Sequence, residues 1–546
     1  MTMLQTTLSV ALEVKPQSAT TLAALIDDLH DRSTAPLSAK GTSSESFAWV
    51  AQGVPSAHFI SLNIFPGADY DPLFVLEANF DGPPGVFWGQ MEAAAGEELR
   101  AMLRCCKRPL DQDAQLYDAV TAPGSRAPVA PYCEARALTP SVFHHGNRGM
   151  TRDRILDEYA LFRAIRTELA TANQDGPSPY RGVTADRVHA LLRTALLPAF
   201  PWLAAPSPRR IPLTQRIGDI ARLVAFAFCV VLALSVPGLI FSSFMPTWRF
   251  FILIALLMVV AVVPIVRMRD PLPGTGTGGK TNLITVLIRN LPLIAGFILI
   301  YSAVFGPGMA VASHLATGVP WARAGHAGLR ILLLGLASVP LSLLVIVGWL
   351  RFLEMRDSAH DDPPIDEEVV RQMAQREDWI PQNHMGSVVL IKPGVLRTII
   401  VRAGHLGLGL MLRVTATNGY LGSMRTVHFA HWAFVNNGGR LMFFSNFDQS
   451  WESYLDDFIE KAHDGLTLAW GCGTGFPATR FLIQDGASHG RKFKNWARHS
   501  MAISRFWYSA YRDLTVDQVE RNNRIADGLR RVKLSEKDAA AWINEL

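Results

Sequence analysis

Four long apolar stretches lie in the middle of the chain, and polar segments with shorter apolar patterns flank them on both sides. The apolar stretches cover about residues 220–243, 249–266, 284–306 and 329–350. Each approaches the ~20 residues with which a helix crosses a ~30 Å hydrocarbon core. The second has no charged residue after Arg249, so it lacks the polar stripe of a soluble amphipathic helix. The pattern predicts a block of four transmembrane helices between two soluble parts.

Basic residues near the ends of these stretches predict their orientation. Arginines precede the first stretch at positions 209, 210, 216 and 222, and Lys or Arg also flank the loop after the second stretch and the end of the fourth. Cytoplasmic loops are enriched in Lys and Arg, so both termini and the middle loop are predicted to be cytoplasmic, in a bacterial-type inner membrane. Four crossings return the chain to its starting side, and the two soluble parts would share one compartment.

The two soluble parts contain similar strand–turn–strand patterns. The pairs are His58–Phe65 with Leu73–Gly82, and His428–Val435 with Leu441–Gln449. Asn-Phe-Asp ends the second strand of both pairs, and Leu and Cys recur at equal distances after that motif. A helical pattern follows each motif, and further strands are predicted at 131–135 and 479–484. Each copy is expected to have the order β-β-α-β-(β)-α.

Two such repeats with their sheets face to face resemble the dimeric α+β barrel superfamily, which includes dye-decolourising peroxidases, chlorite dismutases and small monooxygenases. The resemblance covers roughly residues 45–170 and 420–535. It implies a hydrophobic cavity between the sheets that suits haem, a quinone-like molecule or a lipid. The peroxidases carry Gly-x-x-Asp-Gly, whereas Ala78–Gly82 and Leu482–Gly486 of this chain lack the first Gly.

The predicted fold is α+β plus transmembrane α-helical: two ferredoxin-like repeats that pair as an intramolecular α+β barrel, split by the four-helix membrane block. The segments are an N-terminal extension (1–45), repeat 1 (46–197), a Pro-rich linker (198–216), the membrane helices (217–352), a cytoplasmic connector (353–420), repeat 2 (421–535) and a C-terminal tail (536–546).

Residues 394–416, within the connector, are apolar but contain Arg397, Arg402, His405 and Arg413. A crossing at this point would bury these side chains in the bilayer, at considerable cost. We therefore predict an interfacial helix on the cytoplasmic leaflet.

Composition narrows the classes of partner and site. The net charge of +5, from 52 basic and 47 acidic residues, is too small to indicate nucleic acid. The five cysteines form no CxxC pair and are expected to be reduced thiols.

Gly274–Thr281 matches the P-loop pattern, but an apolar membrane stretch rather than a strand precedes it. We interpret this segment as a cytoplasmic loop and predict no nucleotide site.

The candidate catalytic residues are Asn79, Asp81, Asn446 and Asp448, where the second strand of each pair meets the next helix. In one interpretation these side chains cap that helix. In the other, they project into a shared cavity and donate or accept protons.

Three histidines are the candidate cofactor ligands. His58 and His428 occupy matched positions, and His431, three residues further along, is expected to face the other side of its strand. The chain has no HxxxH or HxH pair, so no metal site is assigned.

These observations lead to two hypotheses of different kinds. The first is a peroxidase-like oxidoreductase, anchored in the lipid bilayer, with haem or a lipophilic small molecule bound beside the sheets. The alternative is a non-catalytic membrane protein whose repeats bind lipid or a partner protein. A transporter is less consistent with the sequence, because the apolar stretches contain few charged residues.

Overall fold

The computed structural model of the protein describes residues 5–34, 47–67, 70–172, 177–241, 243–271, 283–357, 367–377, 381–416, 420–421 and 424–546. The fold is α+β, with antiparallel sheets and long apolar helices. The segment Gly274–Thr281, which matches the P-loop pattern, lies outside the described residues.

Most strands belong to two sheets. The strands are β1 (Gln5–Glu13), β2 (Ala57–Phe65), β3 (Leu73–Asp81), β4 (Ala137–Leu138), β5 (Val142–His145), β6 (Gln382–Leu390), β7 (Val427–Val435), β8 (Arg440–Asp448), β9 (Thr479–Arg480), β10 (Gln484–Asp485), β11 (Met501–Ala502) and β12 (Phe506–Ser509).

Helices connect and cover the sheets and form the membrane block. They are α1 (Ala19–Thr34), α2 (Ala48–Gly53), α3 (Pro84–Arg104), α4 (Ala114–Thr121), α5 (Ala130–Ala135), α6 (Arg152–Thr171), α7 (Ala185–Leu196), α8 (Leu213–Phe241), α9 (Thr247–Arg267), α10 (Leu283–Thr317), α11 (Trp321–Met355), α12 (Glu367–Glu377), α13 (Val395–Thr415), α14 (Trp451–Trp470), α15 (Gly490–Ser500), α16 (Val516–Arg530) and α17 (Glu536–Ile543).

The two large sheets exchange one edge strand each. Sheet 1 has the order β12-β2-β3-β1-β4, and sheet 2 has the order β11-β6-β8-β7-β5. Strand β12, from the C-terminal half of the chain, pairs with β2, while β5, from the N-terminal half, pairs with β7. The two halves are therefore joined by main-chain hydrogen bonds, which form one two-sheet unit.

Alternate residues of each strand face opposite sides of its sheet, so each sheet buries two faces. The outer face of sheet 1 packs on α1 and α3 around Leu76 and Trp88. The outer face of sheet 2 packs on α13 and α14. The inner faces meet in an apolar cluster that includes Phe65, Val75 and Met442. We call the volume between the inner faces the inter-sheet space.

The structure differs from the sequence-based boundaries at the start of each half. Residues 1–45 and 353–420 were assigned outside the repeats, yet β1 pairs with β3 and β6 pairs with β8 along their full lengths. Each half thus begins with a strand and a helix that the sequence-based boundaries placed outside the repeats. The segment 131–135 is part of helix α5 rather than a strand, with Pro131 in its first turn. Of 479–484, only the ends lie in the short β9–β10 hairpin.

Five helices in the described part of the chain are long and apolar enough to cross a membrane: α8, α9, α10, α11 and α13. The first four pack against one another, with α11 in contact with the other three. Helix α13 instead packs on β5, α14 and α8. Helix α13 connects β6 to β7. In the sheet, β8 lies between these two strands and is antiparallel to both, so the two ends of α13 lead into strands of the same sheet.

A buried ion pair joins the membrane block to the two-sheet unit. Arg351, near the end of α11, is 1% exposed and lies 3.1 Å from Glu354. Glu354 accepts hydrogen bonds from Thr479 and from the backbone N–H groups of Phe481 and Leu482, at 2.9–3.0 Å. Because both charges are buried, each depends on the other for its stability.

We expect Glu354→Gln to lower the free energy of unfolding by about 3 kcal/mol, because it leaves the Arg351 charge buried without its carboxylate. Chemical denaturation of the purified protein in detergent measures the change. The matched control is Glu368→Gln, which removes the carboxylate from an exposed pair of the same sequence spacing, with Arg371. The control should change stability by less than 1 kcal/mol. Equal effects of the two substitutions would contradict a stabilising role of the buried Arg351–Glu354 pair.

Candidate functional site

β-bulges near the start of β2 and β7 turn the candidate histidines into the inter-sheet space. Each bulge displaces the register by one residue, at His58 in β2 and at His428 in β7. His431 was expected on the opposite side from His428, but the bulge interrupts the alternation. His431 is hydrogen-bonded to Ser9 of sheet 1 at 2.8 Å, and His428 lies 2.7 Å from Asp448. Both histidines therefore face inward.

The two candidate aspartates make the same contacts in each half. Asp81 lies 3.1 Å from His58, as Asp448 does at 2.7 Å from His428. The second carboxylate oxygen of Asp81 accepts a hydrogen bond from the backbone N–H of Arg152, at 2.7 Å. That of Asp448 accepts one from the N–H of Val516, at 2.8 Å.

These backbone groups belong to the first residues of α6 and α16. The aspartates therefore hold the starts of helices 71 and 68 residues further along the chain, rather than the helices that directly follow them. A carboxylate at a helix N-terminus is stabilised by the unpaired N–H groups and by the helix dipole. Because the pattern occurs in both halves, we assign His58, Asp81, His428 and Asp448 to the scaffold.

Glu77 has no counterpart in the second half. It lies on β3 with its side chain fully buried in the inter-sheet space, and β8 carries Phe444 at the matching position. Its carboxylate accepts hydrogen bonds from Ser61 at 3.0 Å, from Asn79, and from Asn446 of the opposite sheet at 3.4 Å. The candidate asparagines thus both bind this carboxylate.

Two histidines of sheet 2 approach Glu77. His384 Nε2 lies 3.7 Å from the carboxylate, and His431 is close enough to interact electrostatically. Burial by itself raises the pKa of Glu77, but the proximity of His384 and His431 outweighs it, so the pKa lies below the usual carboxyl value. Burial lowers the pKa of His431 to about 4, against the opposing charge of Glu77. At neutral pH the site therefore holds an ionised Glu77 beside a neutral His431.

A cavity of about 320 Å³ reaches this site from the surface. Its lining includes His384, Ser504, Trp507, Phe47 and Met373. The hydroxyl of Ser504 lies 2.5 Å from His384 Nδ1, on the side of the ring away from Glu77. A line of hydroxyl, imidazole and carboxylate thus runs from the cavity to the buried charge. We call Glu77, His384 and Ser504 the acid–base line.

The wall of this cavity is linked to Glu77 by a second route. The indole N–H of Trp507 donates to the side-chain oxygen of Asn446 at 2.8 Å, and Asn446 in turn contacts Glu77. The ring of Trp507 also stacks on His384, with centroids 6.2 Å apart. A ligand that displaced Trp507 would therefore alter the surroundings of both His384 and Glu77.

The network also extends toward the other side of the sheets. Asn79 accepts a hydrogen bond from Thr7 at 2.8 Å, and the Thr7 hydroxyl lies 3.1 Å from His145. Burial and neighbouring positive charges hold the pKa of His145 well below its ordinary value, so this ring is neutral at pH 7. His145 borders a separate cavity beside the membrane helices.

Five residues around these cavities were not predicted from the sequence: Glu77, His384, His145, Ser504 and Trp507. A position-by-position comparison of the two copies could have found Glu77. It lies four residues before Asp81, and the second copy has Phe444 four residues before Asp448. His384 could not be found by this comparison, because β6 had not been assigned to the repeat. The residues that differ between the copies, not those that match, form the line.

The histidine contacts bear on whether haem binds. His58 has Tyr511 at 2.9 Å from one ring nitrogen and Asp81 at 3.1 Å from the other. His428 and His431 each engage one ring nitrogen with a protein partner. His58 could bind iron only by giving up one of these contacts, whereas Nδ1 of His428 and Nδ1 of His431 are buried without a hydrogen-bond partner. Haem stays a prediction of the resemblance.

Asp485, the Asp of the second motif compared with the peroxidases, pairs with Arg480 at 3.0 Å in the β9–β10 hairpin. Within the described residues, no three His, Cys, Asp or Glu side chains come together in a way that could hold a metal ion.

Comparison with known protein families, with curated proteins and with solved structures finds no match for this chain.

Stability should fall as the pH is lowered from 6.5 toward 4, because of the neutral buried histidines. Unfolded His431 binds a proton near its ordinary pKa, whereas the folded form binds one only near pH 4. The free energy of unfolding then falls by about 1.4 kcal/mol per pH unit for each such histidine. His431→Gln should reduce the pH dependence of the free energy of unfolding by the contribution of one histidine, about 1.4 kcal/mol per pH unit. Denaturant unfolding at several pH values measures this change.

The control for this measurement is His463→Gln, at a partly exposed position on α14. It should leave the slope unchanged. Equal slopes for wild type and His431→Gln would mean that His431 is protonated in the folded protein as readily as in the unfolded chain.

Proposed function

We propose that the protein is a membrane-anchored enzyme in which two ferredoxin-like repeats pair as an intramolecular α+β barrel. Each half contributes four strands in the order β2-β3-β1-β4 or β7-β8-β6-β11, and a fifth is exchanged between the halves. This antiparallel order supports a β-α-β-β-α-β repeat. The exchange supports pairing within one chain, in place of a dimer.

The proposed activity is proton abstraction from a lipophilic small molecule with an acidic O–H or C–H group, such as a phenol or quinol. The observation that carries this proposal is Glu77, a carboxylate that is fully buried where the other repeat has an apolar side chain. Burial of a charge is costly, and Phe444 shows that the fold accepts an apolar residue at this position. A buried carboxylate with a lowered pKa, next to a histidine that lines a cavity, is a candidate for catalysis.

The acid–base line gives each residue a role. Ser504 and His384 border the cavity, so the proton that leaves the substrate passes to the imidazole of His384, directly or through the Ser504 hydroxyl. Glu77, on the other side of the ring, stabilises the imidazolium that forms. The apolar lining, with Phe47, Met373 and Trp507, suits an aromatic or lipophilic substrate.

The oxidoreductase hypothesis is compatible with this chemistry, because loss of a proton accompanies oxidation of a quinol. It rests on the resemblance, however, and no contact among the described residues identifies an electron acceptor. The non-catalytic alternative predicts binding without proton transfer, and the same experiment separates the two.

A chromophoric, alkyl-substituted nitrophenol tests the proposal. On binding to the wild type its apparent pKa should fall by a pH unit or more, about 1.4 kcal/mol per unit, seen as phenolate absorbance below the free phenol's pKa. Glu77→Gln and His384→Asn should each abolish most of this shift. Glu13→Gln, which changes a carboxylate at the other end of the same sheet, is the matched control and should retain it. Binding with no phenolate in the wild type would favour the non-catalytic alternative.

The proposed topology places both termini in the cytoplasm and α13 on the membrane surface. Support comes from the position of α13 between two strands of one sheet, and from the pairing of both halves of the chain. Reporter fusions after residues 357 and 546 should both show cytoplasmic activity, whereas one after residue 318, between α10 and α11, should show the opposite. Fusions at 357 and 546 that report different compartments would contradict the proposal.

A further inference from the structure

A second cavity, of about 240 Å³, lies where the two-sheet unit meets α8 and the last turn of α13. Three arginines border it, Arg148, Arg210 and Arg413, together with Gln215 and the neutral ring of His145. The cavity is distinct from the one that contains the acid–base line, and the proposed enzymatic activity makes no use of it.

The arginines near this cavity outnumber the carboxylates that neutralise them. Asp219, on α8, is 2% exposed and accepts a hydrogen bond from Arg148 at 2.7 Å. Arg222 and Arg413 also lie within reach of this one carboxylate, at 3.6 and 4.0 Å. Three positive charges around one negative charge leave a local surplus of two. That surplus favours a bound anion.

The contacts of two arginines show which of them is available to a ligand. Arg210 donates two hydrogen bonds to the carboxylate of Glu520, each at 2.8 Å. The charge of Arg210 is therefore neutralised within the protein. Arg413 is stacked on the ring of Phe143 at 4.6 Å, about a third exposed, and its ion pair with Asp219 is long. Arg413 is thus positioned by stacking while its N–H groups remain accessible from the cavity.

The position of Asp219 along α8 gives the depth of the surrounding arginines in the bilayer. Asp219 lies four residues before Leu223, where the uninterrupted apolar run of α8 begins. At 1.5 Å per residue, the carboxylate is about 6 Å outside the hydrocarbon edge. The polar headgroup layer on each side of a bilayer is roughly 5–8 Å thick. The arginines around Asp219 therefore lie at the depth of lipid phosphates.

We infer that this cavity binds a phosphate group, with Arg413 as the principal ligand and Arg148 as its neighbour. Arginine binds phosphate through paired N–H groups, and anionic lipids are attracted to basic sites at the cytoplasmic surface. The phosphate can belong to an anionic phospholipid headgroup or be free in solution, since both present the same chemistry to the arginines. The inference stands independently of the proposed proton abstraction.

Short-chain lipids test this inference with the full-length protein in detergent. Dihexanoyl phosphatidylglycerol should raise the melting temperature of the wild type in a saturable way, and dihexanoyl phosphatidylcholine should not. Arg413→Gln should weaken the apparent affinity at least tenfold. The matched control is Arg402→Gln, because Arg402 lies on the same helix and also stacks on a phenylalanine, Phe434, but away from the cavity.

A second variant keeps the test informative if Arg413→Gln is poorly folded. Gln215→Glu adds a negative charge to the cavity in the first turn of α8, where an acidic residue favours the helix. It should also weaken phosphatidylglycerol binding. Inorganic phosphate identifies the source: stabilisation by phosphate alone supports a free anion, and stabilisation by the lipid alone supports a headgroup. Equal effects of the two lipids, or unchanged binding in both cavity variants, would overturn the inference.

Discussion

Main-chain hydrogen bonds between β12 and β2, and between β5 and β7, join the two halves of the chain into one two-sheet unit. The exchange holds the two sheets together, with the apolar cluster of their inner faces and the Glu77 side chain removed from water. The exchange also constrains the membrane block between the halves. A strand from each half can reach the other only if the block returns the chain to the side from which it started. This requirement concerns the number of crossings.

Within this frame, symmetry separates scaffold from candidate chemistry. The contacts that recur in both halves join a bulge histidine to an aspartate, and the aspartate to the start of a later helix. Such contacts fix the position of α6 and α16 against the sheets and are needed twice. The acid–base line occurs once, because β8 has Phe444 at the position of Glu77 and β1 has Thr7 at the position of His384. A buried carboxylate that only one copy carries is hard to explain by folding alone.

Among the strands of the two sheets, the sequence predicted those that repeat strongly and missed those that do not. The hairpins β2–β3 and β7–β8 were found because His-Phe and Asn-Phe-Asp recur in them. The strands β1 and β6 share Gln5 and Gln382 at their first positions but little else, so they were assigned to an extension and a connector. All seven candidate residues proved to lie in the inter-sheet space or at its edge. Their roles depend on partners that are distant in sequence, as with Asp81 and Arg152, and these could not be read from local spacing.

Two contacts between the membrane block and the two-sheet unit show what the block contributes beyond an anchor. At one, Glu354 of α11 binds backbone groups of the loop that contains Phe481 and Leu482. At the other, Asp219 of α8 binds Arg148, in the loop that connects β5 to α6. The hydrogen-bonded path from His145 through Thr7 and Asn79 begins beside this second contact and ends at Glu77. A change in the packing of α8 would therefore act first on the residues that surround Arg148, and only through them on the buried carboxylate.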